Sequence, residues 1–289
     1  MIDATLYSDP ACPWAYCENP ALRVIEWRYG EQLRWRLVLI GLTEDASQYE
    51  QRGYTPLRSA LGQLRFRRRY GMPFAPAPKP RLSATSRACR AVVAARIAQP
   101  GSEWRVYRAL QLANFTSPLV LEDDAQLADV LRVVPGIDAT EIVARIDAPD
   151  VVEAYDRDRH ETRTAEGSAA ELQGKTATTD GPVRFTAPSL TFEAGGQRLI
   201  AGGFQPVEAY DVLIANLDPT LQRQPPPETP EPLLERFPDG LTTQEVAALL
   251  AEGNDPPDRA SAEVALVELV GTARAVRVPL GDDALWLAA

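Results

Sequence analysis

The sequence predicts an α/β fold that carries a large helical insertion and ends in a small module of its own. Three observations predict it. Two strand-like runs flank a helical pattern within the first 40 residues, apolar residues then recur at spacings of three and four through residues 56–170, and a proline-rich stretch at 218–232 precedes a last set of elements. At 289 residues the chain also exceeds the roughly 100–200 expected of one domain, which fits a main body with an appendage.

Residues 2–7 read as a strand, Asp9-Pro10 as a turn, and about Trp14 to Tyr29 as a helix. In 33–40, Leu33, Trp35, Leu37 and Leu39 share one face and Arg34 and Arg36 the other, the period-2 pattern of a second strand. Strand, helix, strand over so short a span implies a right-handed βαβ crossover. The insertion, at about 56–172, shows helical periodicity in Arg87–Ala98, Glu103–Ala113, Ala125–Val133 and Thr140–Ile146. After a polar loop at Gln173–Pro182, Ser189–Glu193 and Arg198–Ala201 form a hairpin about Gly195-Gly196, and a helix runs from Pro206 to about Asn216. The main domain is therefore expected over 1–217. The stretch 218–232 is expected to be a spacer that forms neither helix nor internal strand, because its prolines lack the amide both require. Residues 233–289 hold helices at Thr242–Ala251 and Asp258–Val270 and a ribbon at Ala275–Leu287 turning at Gly281-Asp282, an order that resembles a winged helix.

Composition excludes several classes of function. With 45% hydrophobic and 24% charged residues the chain is an ordinary globular protein. Thirty basic against 40 acidic residues give a net charge of −10, so neither nucleic acid nor anionic lipid is an expected partner. Arg, Asp or Glu interrupts every apolar stretch before the ~20 residues of a membrane span. Three cysteines, an odd number in a chain that needs no staples, point to a reducing compartment and hence a cytoplasmic location, and no export signal opens the sequence.

The segment Ser8-Asp9-Pro10-Ala11-Cys12-Pro13-Trp14 sets Cys12 at the first turn of a helix that follows a strand. Unpaired N–H groups and the positive end of the helix dipole favour a thiolate there, and Pro13 at the first helical position loses no hydrogen bond. Cys12 is accordingly the candidate nucleophile; the plainer alternative is a small buried residue near a helix start. In Phe185-Thr186-Ala187-Pro188-Ser189-Leu190 a proline opens an apolar strand, where a cis Ala187-Pro188 bond would turn the chain beside the thiol.

Together these segments resemble the DsbA-like branch of the thioredoxin superfamily, which includes the FrnE-type oxidoreductases, the kappa-class glutathione transferases and the hydroxychromene-carboxylate isomerases. Ser8–Trp14 is similar to the family's active-site turn, Thr186-Ala187-Pro188 to its cis-proline loop, and Gly202-Gly203-Phe204-Gln205-Pro206 to the turn opening its last helix. Tyr70–Phe74 and Thr85–Arg90 are a weaker echo of the entrance to its insertion. The resemblance covers about residues 1–217. It implies a thioredoxin-like fold, Cys12 as catalytic residue, and Pro13, Trp14, Ala187 and Pro188 as substrate contacts.

Redox members of that family carry Cys-Pro-x-Cys, and here Ala15 stands where the second cysteine would be. Cys17 does not replace it, because five helical residues rise about 7.5 Å, beyond the ~7 Å Cα separation a disulfide tolerates. Cys17 is expected on a buried face with Trp14, Ala21 and Ile25, and Cys89 inside an apolar helix. A single-cysteine site acts through mixed disulfides or a bound small thiol, glutathione or mycothiol, with a protein thiol or disulfide as the other partner. No tightly bound cofactor is expected, and a homodimer is admissible. Two function classes stand: a thiol–disulfide oxidoreductase or thiol-dependent isomerase or transferase, and a thioredoxin-fold module that binds without turnover.

The remaining features are weaker. Arg65, Arg67, Arg68 and Arg69 form a basic run that fits either an attractor of carboxylates or a solvated helix face. His160, the sole histidine, sits among charged neighbours and has no metal-ligand companion, so no metal site is expected. Residues 223–289 hold five Arg against twelve acids, a net of −7, which turns the C-terminal module away from DNA and toward packing, dimerisation or partner docking.

Overall fold

The computed structural model describes residues 1–253 and 255–289. β1 (Ile2–Ser8) leads through the turn into α1 (Pro13–Tyr29), and β2 (Leu33–Leu39) returns parallel to β1, with Ile2 opposite Leu33 and Ser8 opposite Leu39. The alternation in β2 shows in its burial: Leu33, Leu37 and Leu39 are buried while Arg34 and Arg36 are exposed. Eight helices follow: α2 (Ser47–Gln51), α3 (Pro56–Tyr70), α4 (Ser86–Ala98), α5 (Glu103–Thr116), α6 (Asp124–Arg132), α7 (Ala139–Ala144), α8 (Pro149–Thr162) and α9 (Ala169–Leu172). The buried faces of α4 and α5 join the sheet residues Ile2, Leu6, Leu37 and Leu190 in one apolar core. Each fully buried Leu, Ile or Phe there contributes about 1.5–3 kcal/mol.

The polar loop expected at 173–182 holds one arm of a short ribbon, β3 (Thr176–Ala177) paired with β4 (Arg184–Phe185). The hairpin is β5 (Ser189–Ala194) and β6 (Gln197–Ala201), and α10 (Val207–Leu217) packs back on both strands and on α1. The resulting sheet has the order β2-β1-β5-β6. β5 runs antiparallel to β1 with Tyr7 opposite Ser189 and Leu6 opposite Leu190. This register decides the site, because it sets the segment before β5 beside the turn after β1.

The proline-rich stretch is held in place. Gln224 donates its amide to the Arg28 carbonyl at 2.8 Å, Trp27 Nε1 donates to the Pro225 carbonyl at 2.8 Å, and Gln222 exchanges two hydrogen bonds with Gln32. Its last two residues depart from the expected spacer, since α11 (Glu231–Arg236) begins there. Pro232 is tolerated because a first-turn amide has no intrahelical partner. β7 (Leu241–Thr242), α12 (Thr243–Leu250), α13 (Arg259–Gly271), β8 (Ala275–Leu280) and β9 (Asp283–Ala288) follow, with sheet order β7-β9-β8.

Three contacts lock this C-terminal unit to the body. Val24 and Trp27 of α1 pack into its core beside Leu233, Phe237, Leu266 and Trp286. The β8–β9 turn sits on the backbone of Phe74: Asp282 exchanges hydrogen bonds with it, and a Cβ on Gly281 (φ +59°) would lie 2.9 Å from the Phe74 carbonyl. Arg108 of α5, fully buried, forks onto both oxygens of Glu245 at 2.7 and 2.8 Å and onto the Gly240 carbonyl. Glu245 also closes the capping box of α12 with Thr242. Burial alone would raise the Glu245 pKa, but the charge and hydrogen bonds of Arg108 outweigh it and hold the carboxyl below its usual range.

Arg108→Met, which strands a buried carboxylate, should destabilise the protein by about 3–5 kcal/mol, read as a lowered denaturant midpoint at pH 7. Adding Glu245→Gln should recover most of the loss. Because the native Glu245 pKa is depressed, the ion pair's contribution is present above the ordinary glutamate range and fades as pH falls through the lowered value, so wild type and Arg108→Met should converge in acid. Full stability of the single variant at pH 7 would show that the joint lies elsewhere.

Candidate active site

Cys12 is the N-cap residue of α1, with backbone φ −79° and ψ 117°, and Pro13 takes the first helical position. Its amide donates to the Asp9 carbonyl at 3.1 Å and its carbonyl accepts from Tyr16 at 3.0 Å, so the turn is closed on both sides of the sulfur. The Asp9 carboxylate organises this turn. Oδ1 accepts from the Ala11 amide at 2.8 Å, and Oδ2 accepts from the Leu42 amide at 2.9 Å, from Thr85 Oγ1 at 2.8 Å and from Cys89 Sγ at 3.4 Å. One buried side chain thus ties the thiol-bearing turn to the end of β2 and the start of α4.

The cis-proline segment meets the sulfur from the other side. The Ala187-Pro188 bond is cis, both residues are buried, and Cys12 Sγ donates to the Ala187 carbonyl at 3.1 Å. Tyr7 stacks on Phe185 at 4.8 Å just upstream. Gly202 and Gly203 pass close by: a Cβ on Gly202 would lie 2.7 Å from that of Ala170, and the Gly203 amide donates to Ser189 Oγ. This loop carries Phe204 to within 5.7 Å of Trp14.

The expectation of a favoured thiolate is corrected here. Cys12 is only 5% exposed, and burial pushes its pKa up to about 12, with the charge of Asp9 acting in the same direction. Backbone hydrogen bonds of Ala15 and Trp14 and the buried Arg184 act to lower it and do not prevail. In this arrangement the sulfur holds its proton and donates it to Ala187. A helix N-terminus therefore loses to desolvation when the sulfur is turned inward.

Trp14 is a second correction. Expected on the buried face with Cys17, Ala21 and Ile25, it is 45% exposed and packs edge-on against Phe66 at 4.9 Å and near Tyr70. Cys17 is buried apart from it, among Tyr16, Met72, Phe74, Leu112 and Phe115, and burial raises its pKa. All three cysteines are free thiols. Cys89 does more than fill space, since it adds a hydrogen bond to Asp9.

Beside the turn opens a cavity of about 710 Å³, bordered by Ala11, Pro13 and Trp14 and walled by α3 and the 77–83 loop. Of the arginine run only Arg65 lines it; Arg67 pairs with Asp282 at 3.3 Å and Arg69 lies over the ring of its neighbour Tyr70. Arg52, Arg58, Lys79, Arg81 and Arg184 also line it, and no local sequence pattern marks them. An Asp two residues before a turn amide, as at Asp9-Pro10-Ala11, is an Asx-turn signature that would have marked Asp9. His160 is exposed on α8, away from this cavity. Among the described residues no group of three His, Cys, Asp or Glu side chains could hold a metal, and no helix is long and apolar enough to cross a membrane.

The profile of the DSBA-like thioredoxin domain family matches residues 4–166, more than half of the chain. Similar solved structures include a protein of Nitrosomonas europaea described as a disulfide isomerase (18% identity, TM-score 0.57), covering 74% of this chain and 96% of that one. A protein of Streptomyces coelicolor described as a DsbA oxidoreductase is 16% identical over 76% of this chain and 91% of its own, also at TM-score 0.57. DsbM, a cytosolic disulfide reductase of Pseudomonas aeruginosa, is 16% identical over 74% and 98%, at 0.51. At these identities the likeness is one of fold. No curated protein matches the chain.

Among the three cysteines, Cys12 should be alkylated first by iodoacetamide, and its rate should climb about tenfold per pH unit from 7 to 9, tracking the small thiolate fraction of a group with a raised pKa. Peptide mapping of the label checks the order. A plateau near neutrality would show a stabilised thiolate and contradict the hydrogen bond to Ala187 as the resting state.

Proposed function

Because the chain belongs to the DsbA-like thioredoxin domain family, we propose that it performs thiol–disulfide exchange through one reacting thiol, Cys12. Its co-reactant is a small thiol such as glutathione or mycothiol, or a protein thiol or disulfide. The observation that carries this reading is the meeting of Cys12 Sγ with the Ala187 carbonyl at a helix N-terminus, while the buried Ala15 occupies the place of the family's second cysteine.

The step begins with the loss of the Cys12 proton. The thiolate attacks one sulfur of a disulfide, the new S–S bond to Cys12 forms as the old one breaks, and the leaving thiolate takes up a proton. With alanine at 15, a second thiol molecule must attack the mixed disulfide and release Cys12. The proton leaves most readily when an incoming N–H occupies the Ala187 carbonyl, because the sulfur can then turn toward the amides of α1. Trp14 and Pro13 border the cavity, whereas Ala187 and Pro188 are buried outside its lining, so an extended partner would reach their backbone only once the Cys12–Ala187 contact opens. The P. aeruginosa relative has also been solved with glutathione, which supports a small thiol as co-reactant here. Three free cysteines support a reducing, cytoplasmic setting.

The winged-helix-like module is part of this proposal as a brace and docking element. Arg259, at the start of α13, is engaged by the Gly71 carbonyl and by Asp283 at 2.8 Å, which leaves little positive charge on that helix for nucleic acid. A second reading, a thioredoxin-fold module that binds a peptide or small thiol without turnover, is favoured by the raised pKa of Cys12. A thiol-dependent isomerase or transferase would use the same cavity with the small thiol as reactant.

Ala15→Cys distinguishes these. It places a sulfur one helical turn from Cys12, so insulin reduction with dithiothreitol should rise at least tenfold over the parent. No gain in a variant with unchanged circular dichroism would favour the non-catalytic reading.

A further inference from the structure

The cavity beside the active-site turn runs against the character of the chain. The protein carries ten more acidic than basic residues, yet among the described residues six cations line this space, Arg52, Arg58, Arg65, Lys79, Arg81 and Arg184, and no carboxylate does. Arg81 and Arg184 are paired with Glu122 and Asp180. Among the described residues the other four have no acidic partner: Arg52 and Arg58 lie over Tyr49 and Tyr54 and bond only to backbone carbonyls. Lys79, half-buried, bonds to the neutral Asn114 side chain and the Leu119 carbonyl.

Lys79 is the most telling of these. Only two of the chain's 30 basic residues are lysines, so an ammonium here stands out against an arginine background. Its surroundings supply two neutral acceptors and no charge, and desolvation pushes its pKa down to about 7. An uncompensated cation on a cavity wall weakens the fold and strengthens binding of an anion that arrives with its own charge. The remaining walls combine the aromatic Trp14, Tyr54, Phe66 and Phe115 with apolar residues and a few neutral polar ones such as Ser59 and Gln63, and about 710 Å³ lies within the range of small-molecule sites.

We propose that Lys79, with Arg52, Arg58 and Arg65, forms an anion-recognition subsite that selects a small molecule bearing carboxylates on an aromatic or apolar body. The subsite rests on the reading of Cys12 as the reacting thiol only for which atom that molecule presents to the turn. Its charge lies in the 52–65 and 79 segments, so it sets specificity without touching the sulfur.

Two activated aromatic disulfides that differ in charge test this at pH 6, where Lys79 carries its proton: the dianionic 5,5′-dithiobis(2-nitrobenzoate) and the neutral 2,2′-dithiobis(5-nitropyridine). Each exchanges with the Cys12 thiolate to give a mixed disulfide and one coloured thiolate. Lys79→Gln should slow the anionic reagent at least fivefold and leave the neutral one unchanged, with a melting temperature equal to or above wild type. Equal slowing of both reagents, or a lowered melting temperature, would make Lys79 a strut for its loop and overturn the proposal. Binding without chemistry separates this from the thiol reading. In Cys12→Ser, titration calorimetry with the unreactive thioether 5-methylthio-2-nitrobenzoate should show binding that Lys79→Gln weakens at least fivefold. Absence of binding, or binding indifferent to Lys79, would refute the subsite whatever Cys12 does.

Discussion

The turn that bears the thiol is held by a single buried carboxylate. Asp9 accepts hydrogen bonds from the turn itself, from the end of β2, and from Thr85 and Cys89 at the start of α4, so three separate parts of the chain converge on two oxygen atoms. Each such bond to a charged acceptor contributes about 1.5–3 kcal/mol, and losing the carboxylate would leave buried donors unpaired. The same charge lies near Cys12 and opposes its ionisation. Geometry and activation therefore pull in opposite directions. The resting sulfur is protonated and bound to Ala187, and in the proposed exchange a partner must first open that contact.

The C-terminal unit contributes from a distance. Thr242 reaches Met72, Arg259 takes the Gly71 carbonyl, and Asp282 clasps Phe74, three successive grips on the segment that leads from α3 to Lys79. Met72 and Phe74 are also walls of the cluster around Tyr16 and Cys17 under α1. The buried Arg108–Glu245 pair anchors this brace to the body. A unit that looks like an appendage in the sequence thus helps to shape one wall of the cavity, and a shared core with α1 makes it part of the same packing problem.

Much of this architecture was legible because it is written locally. Period 2 in 33–39 and the three-and-four spacing of 87–98 identify a strand and a helix, although Leu37–Leu39 and 91–95 are buried on more than one face. Cys12-Pro13 and Ala187-Pro188 could be paired because an X-Pro step opening a strand restricts where the chain can turn. What escaped depends on contacts between distant residues. The protonation of Cys12 follows from its burial, which no window of sequence displays. Trp14 satisfied the helical spacing of a buried face, but its neighbours Phe66, Tyr70 and Phe204 meet the ring at an edge or at a tilt and leave it 45% exposed. The cavity's cations come from residues 52–65, 79–81 and 184, which nothing short of the fold brings together. The proline-rich stretch reads as a free spacer because its anchors, Trp27, Arg28 and Gln32, lie some 190 residues away in the sequence.

In the proposed function one thiol does the chemistry and no internal partner resolves it. Intact-mass analysis of the protein after incubation with glutathione disulfide tests it most directly, with peptide mapping to find the modified residue. One glutathione per chain is expected, on Cys12, absent in Cys12→Ser and removed by excess free thiol. A disulfide between two of the chain's own cysteines, or an adduct on Cys17 or Cys89 with Cys12 untouched, would contradict it.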